Sequence, residues 1–319
     1  MSEKPRFIAI EEHFWMPEFT NHYNAAQLKR PPALRGRLED FGELRLREMD
    51  EAGLDVQVLS HAPTGPQRLD RDIALEASRK VNDRLHAFIE TNPARFAGFA
   101  ALPTQLPEAS ADELQRTVED LGFKGALIHG LTEGRFMDER FFWPIFARAE
   151  ALDVPIYVHP ARPLPAVIDA YYGPYVESHP ALVQAAWGFG VETATHAIRL
   201  VLSGVCQEYP KLKFLIGHLG EGIPYHLTRI DEALARPGNQ PSNFADVFRK
   251  HFWVTTSGFF SDTALRCAID EMGIDRVLFA VDWPFVANKP GTDWLMAAPI
   301  SDDDKAKIAG ENAATLLKL

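Results

Sequence analysis

Four short stretches of the chain place histidine or carboxylate side chains where an apolar run has just ended. FIAIEEHFW, starting at Phe7, stops on Glu11, Glu12 and His13, and PIYVHP, starting at Pro155, stops on His159. FLIGHLGEG, starting at Phe214, brings in His218 and Glu221, and VLFAVDWP, starting at Val277, stops on Asp282. Burying such groups costs several kcal/mol unless they are paired or bind a metal. Strand side chains alternate with a period of two, so Glu11 and His13 share one face while Glu12 takes the other, tied there to a backbone or basic group. With Glu11 and His13 turned inward, Glu11, His13, His159 and Asp282 make a set of two imidazoles and two carboxylates. That donor set suits a divalent cation with open positions, Zn²⁺ or Mn²⁺, and its lack of thiolates argues against a structural zinc.

The other histidines have a plainer reading. His129 closes GALIHG, and a single histidine near a strand end is more often a hydrogen-bonded structural residue than a ligand. His22, His61, His86, His179, His196, His226 and His251 are scattered and read as surface or satisfied interior residues. Cys206 and Cys267 are the only cysteines and form neither a disulfide framework nor a Cys-rich metal site.

For strand ends to meet, the strands must stand side by side. Eight apolar runs start at Phe7, Val56, Phe96, Gly125, Pro155, Phe214, Phe252 and Val277. Between them lie amphipathic stretches such as ELRLREMDEAG, ALEASRKVNDRLHAFIETNP, ADELQRTVEDLG, FFWPIFARAEALD and TATHAIRLVLSGVCQEYP, several closed by Gly or Pro. Near-continuous apolar strands are buried on both faces, as in parallel sheets. Eight β-then-α repeats predict an α/β fold of the (β/α)8 TIM barrel type, one domain over residues 1–319, with its site at the C-terminal strand ends. An open doubly wound sheet is the alternative, but no Gly-rich nucleotide fingerprint follows the first strand. The longest irregular stretches, residues 15–37 and 160–184, follow strands, where lids and pocket walls belong.

Composition sets the outer limits. The chain has 319 residues, 46% of them hydrophobic and 24% charged, enough to form a large core. A formal charge of −11, with no Lys/Arg cluster dense enough to form a basic stripe, argues against a nucleic-acid binder. MSEKPRF leads straight into the first strand without the apolar region of a signal peptide. No run approaches the roughly 18 apolar residues a membrane helix needs. A cytoplasmic enzyme with no membrane or nucleic-acid partner is expected.

EEHFW, YVHP, GHLGEGIPY…RI and VDWPF, in this order and spacing, resemble the metal-dependent decarboxylase branch of the amidohydrolase superfamily. The resemblance covers nearly the whole chain and includes the terminal GENAATLLKL helix. Glu-x-His on strand one, in place of His-x-His, is similar to the γ-resorcylate and 2,3-dihydroxybenzoate decarboxylases. So is the RPLPAVIDAYYG…WGFGVETATHAIRL segment, whereas VDWPFV and LSHAPTGP depart from the γ-resorcylate pattern. The resemblance implies an amidohydrolase-like barrel, metal ligation by Glu11, His13, His159 and Asp282, and catalytic roles for Asp282, His218 and Glu221. Strand four lacks the lysine of the two-metal members, which implies one divalent ion.

The implied reaction is non-oxidative loss of CO₂ from a hydroxylated benzoate, a small aromatic carboxylate, with Asp282 as proton source. Phe14, Trp15, Trp187, Phe189, Trp283 and Phe285 flank the motifs, and about half of such a lining is expected to touch a flat ring. Trp15, Phe189 and Phe285 are candidate substrate contacts. Arg229 matches an arginine that relatives present to a neighbouring subunit's site, which implies a homodimer or homotetramer. A hydrolase or hydratase acting on a lactone, ester or unsaturated dicarboxylate is the alternative on the same scaffold, and a non-catalytic metal-binding protein would leave His218 and Glu221 without a role.

Overall fold

The computed structural model describes residues 4–17, 30–63, 65–240 and 242–319. His22 and part of the 15–37 stretch lie outside the described residues. Eight strands occur among those described: β1 (Ile8–Phe14), β2 (Val56–His61), β3 (Phe96–Gly98), β4 (Ala126–His129), β5 (Ile156–His159), β6 (Phe214–Ile216), β7 (Phe252–Thr255) and β8 (Val277–Leu278). Each falls within one of the eight apolar runs. All sequential neighbours from β1 to β3 and from β4 to β8 pair in parallel.

Two seams close the ring. A parallel bridge from Ala100 to Ala126 joins β3 to β4. On the other side the Ile10 N–H donates to Phe279 O, at 3.2 Å, and the Asp282 N–H to Glu11 O, at 2.9 Å. The His13 N–H donates to Trp283 O at 2.7 Å. The result is a (β/α)8 barrel, and its second seam runs through three of the predicted site residues.

The core has the two layers that a barrel requires. Ile8, Ile10, Val58, Phe99, Leu127, Leu215 and Leu278 belong to one buried cluster, joined by Ala313, Leu316 and Leu317 of the terminal helix. Phe7, Ala9, Leu59, Ile128, Val158 and Val254 belong to the larger cluster under the helices. The alternation between clusters is the period-two pattern made physical.

One irregularity interrupts it. In the β1–β2 ladder Ala9 pairs with Gln57 but Glu12 pairs with Leu59, so β1 spends one residue more than its partner. Carried on from Ile8 and Ile10, strict alternation would have turned Glu12 inward. The bulge resets the alternation, and Glu11 and His13 take the inner side instead.

The helices follow their stop signals. Glu43–Ala52 ends on Gly53, whose left-handed conformation (φ 66°) lets its N–H reach back to Asp50 O at 3.0 Å. The TATHAIRLVLSGVCQEYP stretch, expected as one helical unit, is two: Gly188–Leu202 and Val205–Glu208, broken at Gly204. The 160–184 stretch is a series of short turns of helix, including Pro165–Val167, Ile168–Tyr172 and Pro180–Val183. Among the described residues no helix is long and apolar enough to cross a membrane.

Candidate metal centre and its surroundings

Glu11, His13, His159 and Asp282 converge, with one ligand atom from each lying within 4.8 Å of all the others. His13 Nε2 stands 3.2 Å from Asp282 Oδ1, and His159 Nε2 stands 3.3 Å from Glu11 Oε1. Glu11 Oε1, His13 Nε2 and Asp282 Oδ1 are buried and have no hydrogen-bond partner. Three orphaned donor atoms aimed at one point are costly unless a cation completes them. The residues fit a divalent ion.

The far side of each ligand is fixed. His13 Nδ1 meets Ser60 Oγ at 3.0 Å, and His159 Nδ1 meets Pro160 O at 2.7 Å, so both rings present Nε2 to the centre. Glu11 Oε2 accepts short hydrogen bonds from Tyr157 Oη and Ser257 Oγ, with Thr255 Oγ1 at 3.5 Å. Gly217 makes room for this cradle, since a Cβ there would lie 3.0 Å from Glu11 Oε2 and 3.2 Å from Ser257 Oγ.

Asp282 is held by backbone. Its φ of 69° is left-handed, a conformation that costs a non-glycine residue about 1–3 kcal/mol. Glu12 steadies it: the Glu12 carboxylate accepts from the Val281 N–H at 2.8 Å and the Trp283 N–H at 2.9 Å, one on each side of Asp282. Glu12 does face away from the cluster and bind backbone. Burial pushes its carboxyl well above the usual range, opposed by those two N–H groups and by Arg45. Arg45 is itself fully buried, donates to His13 O at 2.7 Å and lies 3.9 Å over the Trp283 ring. Burial pulls its guanidinium down to about 9.

Electrostatics separate His13, Glu11 and Asp282. Burial lowers His13 to about 4, so it stays neutral at ordinary pH. Burial raises Asp282 well above the usual carboxylate range, and the Glu11 charge adds to this while His218 opposes it. Burial also works against the Glu11 charge, yet the contact with His159 and the fields of His159 and the charged His218 hold its carboxyl far below that range.

His218 and Glu221 sit beside the cluster as a pair, His218 Nδ1 to Glu221 Oε1 at 2.8 Å. They share a left-handed run, with φ of 48° at His218, 54° at Leu219 and 53° at Glu221. Burial disfavours charge on His218, but the Glu221 carboxylate raises it to about 10.

The predicted substrate contacts separate. Phe285, 44% exposed, lies edge-on to the His13 ring at 5.7 Å. Phe189 is half-buried at the start of Gly188–Leu202. The structure does not bring Trp15 to the cluster: it is buried with Leu38 and Ala62, and Arg30 and Arg35 lie over its ring. Arg229 is exposed on Ile223–Leu234. Phe14 and Trp283 are core residues, and Trp187 is 60% exposed.

Sequence reasoning missed Tyr157, Ser257, Thr255, Ser60 and Arg45. A signal existed for the first three. Tyr157 precedes His159 by two and so shares its face, and Thr255 and Ser257 stand two apart at the end of the seventh apolar run.

A parallel barrel that gathers two histidines and two carboxylates at the C-terminal ends of β1, β5 and β8 defines a metal-site (β/α)8 protein. Residues 9–319 match the family model described as Amidohydrolase, and the chain belongs to that family. It is 41% identical to a γ-resorcylate decarboxylase of Polaromonas sp. strain JS666 over 98% of each chain. Among solved structures it resembles a dihydroxybenzoic acid decarboxylase of the same strain, determined with manganese and the inhibitor 2-nitroresorcinol. That match has a TM-score of 0.89 and 39% identity and covers 99% of this chain and 98% of the other. A 5-carboxyvanillate decarboxylase from Sphingomonas paucimobilis aligns at a TM-score of 0.91 and 32% identity, covering 99% and 100% of the two chains.

Proposed function

We propose that the protein catalyses metal-dependent, non-oxidative decarboxylation of a hydroxylated benzoate, of the γ-resorcylate or dihydroxybenzoate type, to the corresponding phenol and CO₂. The observation that carries this reading is the orphaned N₂O₂ cluster of Glu11, His13, His159 and Asp282. It sits in a chain 41% identical, nearly end to end, to a γ-resorcylate decarboxylase.

A bound divalent ion, Mn²⁺ or Zn²⁺, supplies Lewis-acid polarisation and positioning of the substrate carboxylate and its ortho hydroxyl. The carboxylate-rich shell and the manganese in the Polaromonas structure favour Mn²⁺. Glu11, His13, His159 and Asp282 hold it, one ion per chain, since β4 ends on His129 and offers no lysine. Asp282 delivers a proton to the ring carbon that carries the carboxylate; because a bound cation would favour the Asp282 anion, His218 and Glu221 are needed to manage that proton. The bond from that carbon to the carboxylate then breaks, CO₂ leaves, and its electron pair restores the aromatic ring. His218, held charged by Glu221, orients Asp282 and returns its proton.

Phe285 and Phe189 line the flat ring, while Trp15 supports the exit of β1. Residues 1–319 act as one amidohydrolase-type barrel domain in the cytoplasm, and exposed Arg229 reaches a second copy in a homodimer or homotetramer.

The test is a panel of ortho-hydroxybenzoates incubated with the Mn²⁺- or Zn²⁺-loaded protein. Loss of the acid with stoichiometric CO₂ is expected, and turnover of lactones alone overturns the reading. Metal analysis is expected to give about one ion per chain; two ions, or none after reconstitution, remove the mononuclear site.

A further inference from the structure

His129 was read from sequence as a plain strand-end histidine, but its ring sits directly behind a metal-cluster ligand. His129 Nδ1 lies 2.9 Å from His159 Nδ1, and the two rings meet at 84°. His129 Nε2 lies 2.7 Å from the backbone oxygen of His61. A carbonyl oxygen only accepts, so His129 carries its proton on Nε2 and leaves a lone pair on Nδ1. His159 Nδ1 also faces a carbonyl, Pro160 O at 2.7 Å, so it is a donor. Its N–H is shared between Pro160 O and the His129 lone pair.

The anchor behind His129 is rigid. Gln67 clamps its backbone from both sides, donating from Nε2 to His129 O at 2.8 Å and accepting the His129 N–H at 2.8 Å. His61 is fixed in turn, with Nδ1 2.8 Å from Ala62 O and Nε2 accepting the Met16 N–H at 3.3 Å. The exits of β1, β2, β4 and β5 are thereby joined through three imidazoles.

We infer that His129 is a positioning residue that, beside the Pro160 carbonyl, holds the His159 ring in place as its Nδ1–H form and so keeps the Nε2 lone pair aimed at the metal centre. This rests on reading the cluster as a metal site. Without His129 the His159 ring keeps the Pro160 carbonyl, which still favours the proton on Nδ1 but, as a contact to the next residue, leaves the tilt of the ring unfixed. Two neighbouring imidazoles both bare or both protonated on their facing nitrogens would repel; the His61 carbonyl keeps the His129 proton on Nε2 and the Pro160 carbonyl keeps the His159 proton on Nδ1, so the facing pair is one donor and one acceptor.

The experiment compares His129→Asn, whose Oδ1 occupies the acceptor position of Nδ1, with His129→Phe, which fills the space without an acceptor. Mn²⁺ affinity is measured by chelator competition, and the melting temperature of the metal-free protein is followed alongside. Loss of a ligand's hydrogen-bond partner typically weakens metal binding about 10–100-fold, so that loss is expected in His129→Phe, with His129→Asn recovering most of it. Equal weakening in both variants, or unchanged affinity in His129→Phe, overturns the inference. If His129→Phe does not fold, ¹⁵N NMR of wild-type Zn²⁺-loaded protein decides: a proton on His129 Nε2 is expected, and one on Nδ1 overturns the inference. Wild-type protein that binds no metal refutes the metal-site reading itself, whereas wild-type binding with an indifferent His129→Phe refutes the role of His129 alone.

Discussion

The two carboxylates of the cluster are held by opposite means. Glu11 lies inside the barrel, and its rear oxygen rests on the hydroxyls of Tyr157 and Ser257. Its carboxyl is held far below the usual range, with the His159 contact and neighbouring positive charge outweighing burial. Asp282 stands just past β8, in a left-handed turn steadied by Glu12 through the backbone on either side. Burial and the Glu11 charge drive its carboxyl upward. Where neighbouring titratable groups are pushed apart in this way, the environment divides roles between them. In the metal-free protein the environment favours the anion at Glu11 and the neutral acid at Asp282, the division that the proposed proton transfer from Asp282 uses.

The contrast can be broken from either end. Asp282→Asn keeps the size of the side chain and removes the transferable proton. Turnover is expected to fall about 10³-fold or more with the circular dichroism spectrum unchanged, and residual activity within about tenfold of wild type removes Asp282 as proton source. At the other end, Tyr157→Phe deprives Glu11 of a donor and should weaken Mn²⁺ binding about tenfold in chelator competition, with kcat at saturating metal moving far less. Equal effects on kcat would mean that Glu11 and Asp282 are not divided in role.

The His218–Glu221 pair sharpens the same division. In the metal-free protein His218 should titrate near 10, held up by the Glu221 carboxylate against burial. Glu221→Gln removes that charge, so the His218 midpoint followed by NMR moves to lower pH. A midpoint that stays put locates the supporting charge elsewhere. The smallest expected effect is that of Phe285→Leu, whose half-exposed ring touches His13 only edge-on. KM should rise about three- to tenfold, the worth of a lost apolar contact, with metal affinity unchanged.

What sequence could reveal followed the same divide between local and non-local information. The eight strands were legible because each is a compact apolar run, and the convergence of Glu11, His13, His159 and Asp282 because they stand at the ends of such runs. Glu12 was legible as a residue turned away from Glu11 and His13, because neighbours in a strand point oppositely. The hydroxyl cradle was legible only as a shared face, through Tyr157 two before His159 and Thr255 two before Ser257, because Tyr, Thr and Ser inside a strand are equally at home against solvent or core. Arg45 was hidden for a related reason: in ELRLREMDEAG it reads as one charge among many, yet it is fully buried under Trp283. The join between His129 and His159 depends on β4 and β5 lying in register, His129 against His159, which no local pattern prints. The break at Gly204 was missed because the apolar spacing continues through it.

The extra residue in β1 has a consequence for how this scaffold can change. Below the bulge, Ile8 and Ile10 answer to the packing of the barrel floor; above it, Glu11 and His13 answer to the chemistry. Because the two halves are out of phase, repacking of the floor and replacement of a ligand are separate problems, each solvable without disturbing the other. Were the bulge ironed out with no residue removed, strict alternation from Ile10 would exchange the two adjacent glutamates, sending Glu12 into the centre and Glu11 to the backbone clamp. The triplet EEH thus holds two wirings of the same strand, and a single residue of slack selects between them.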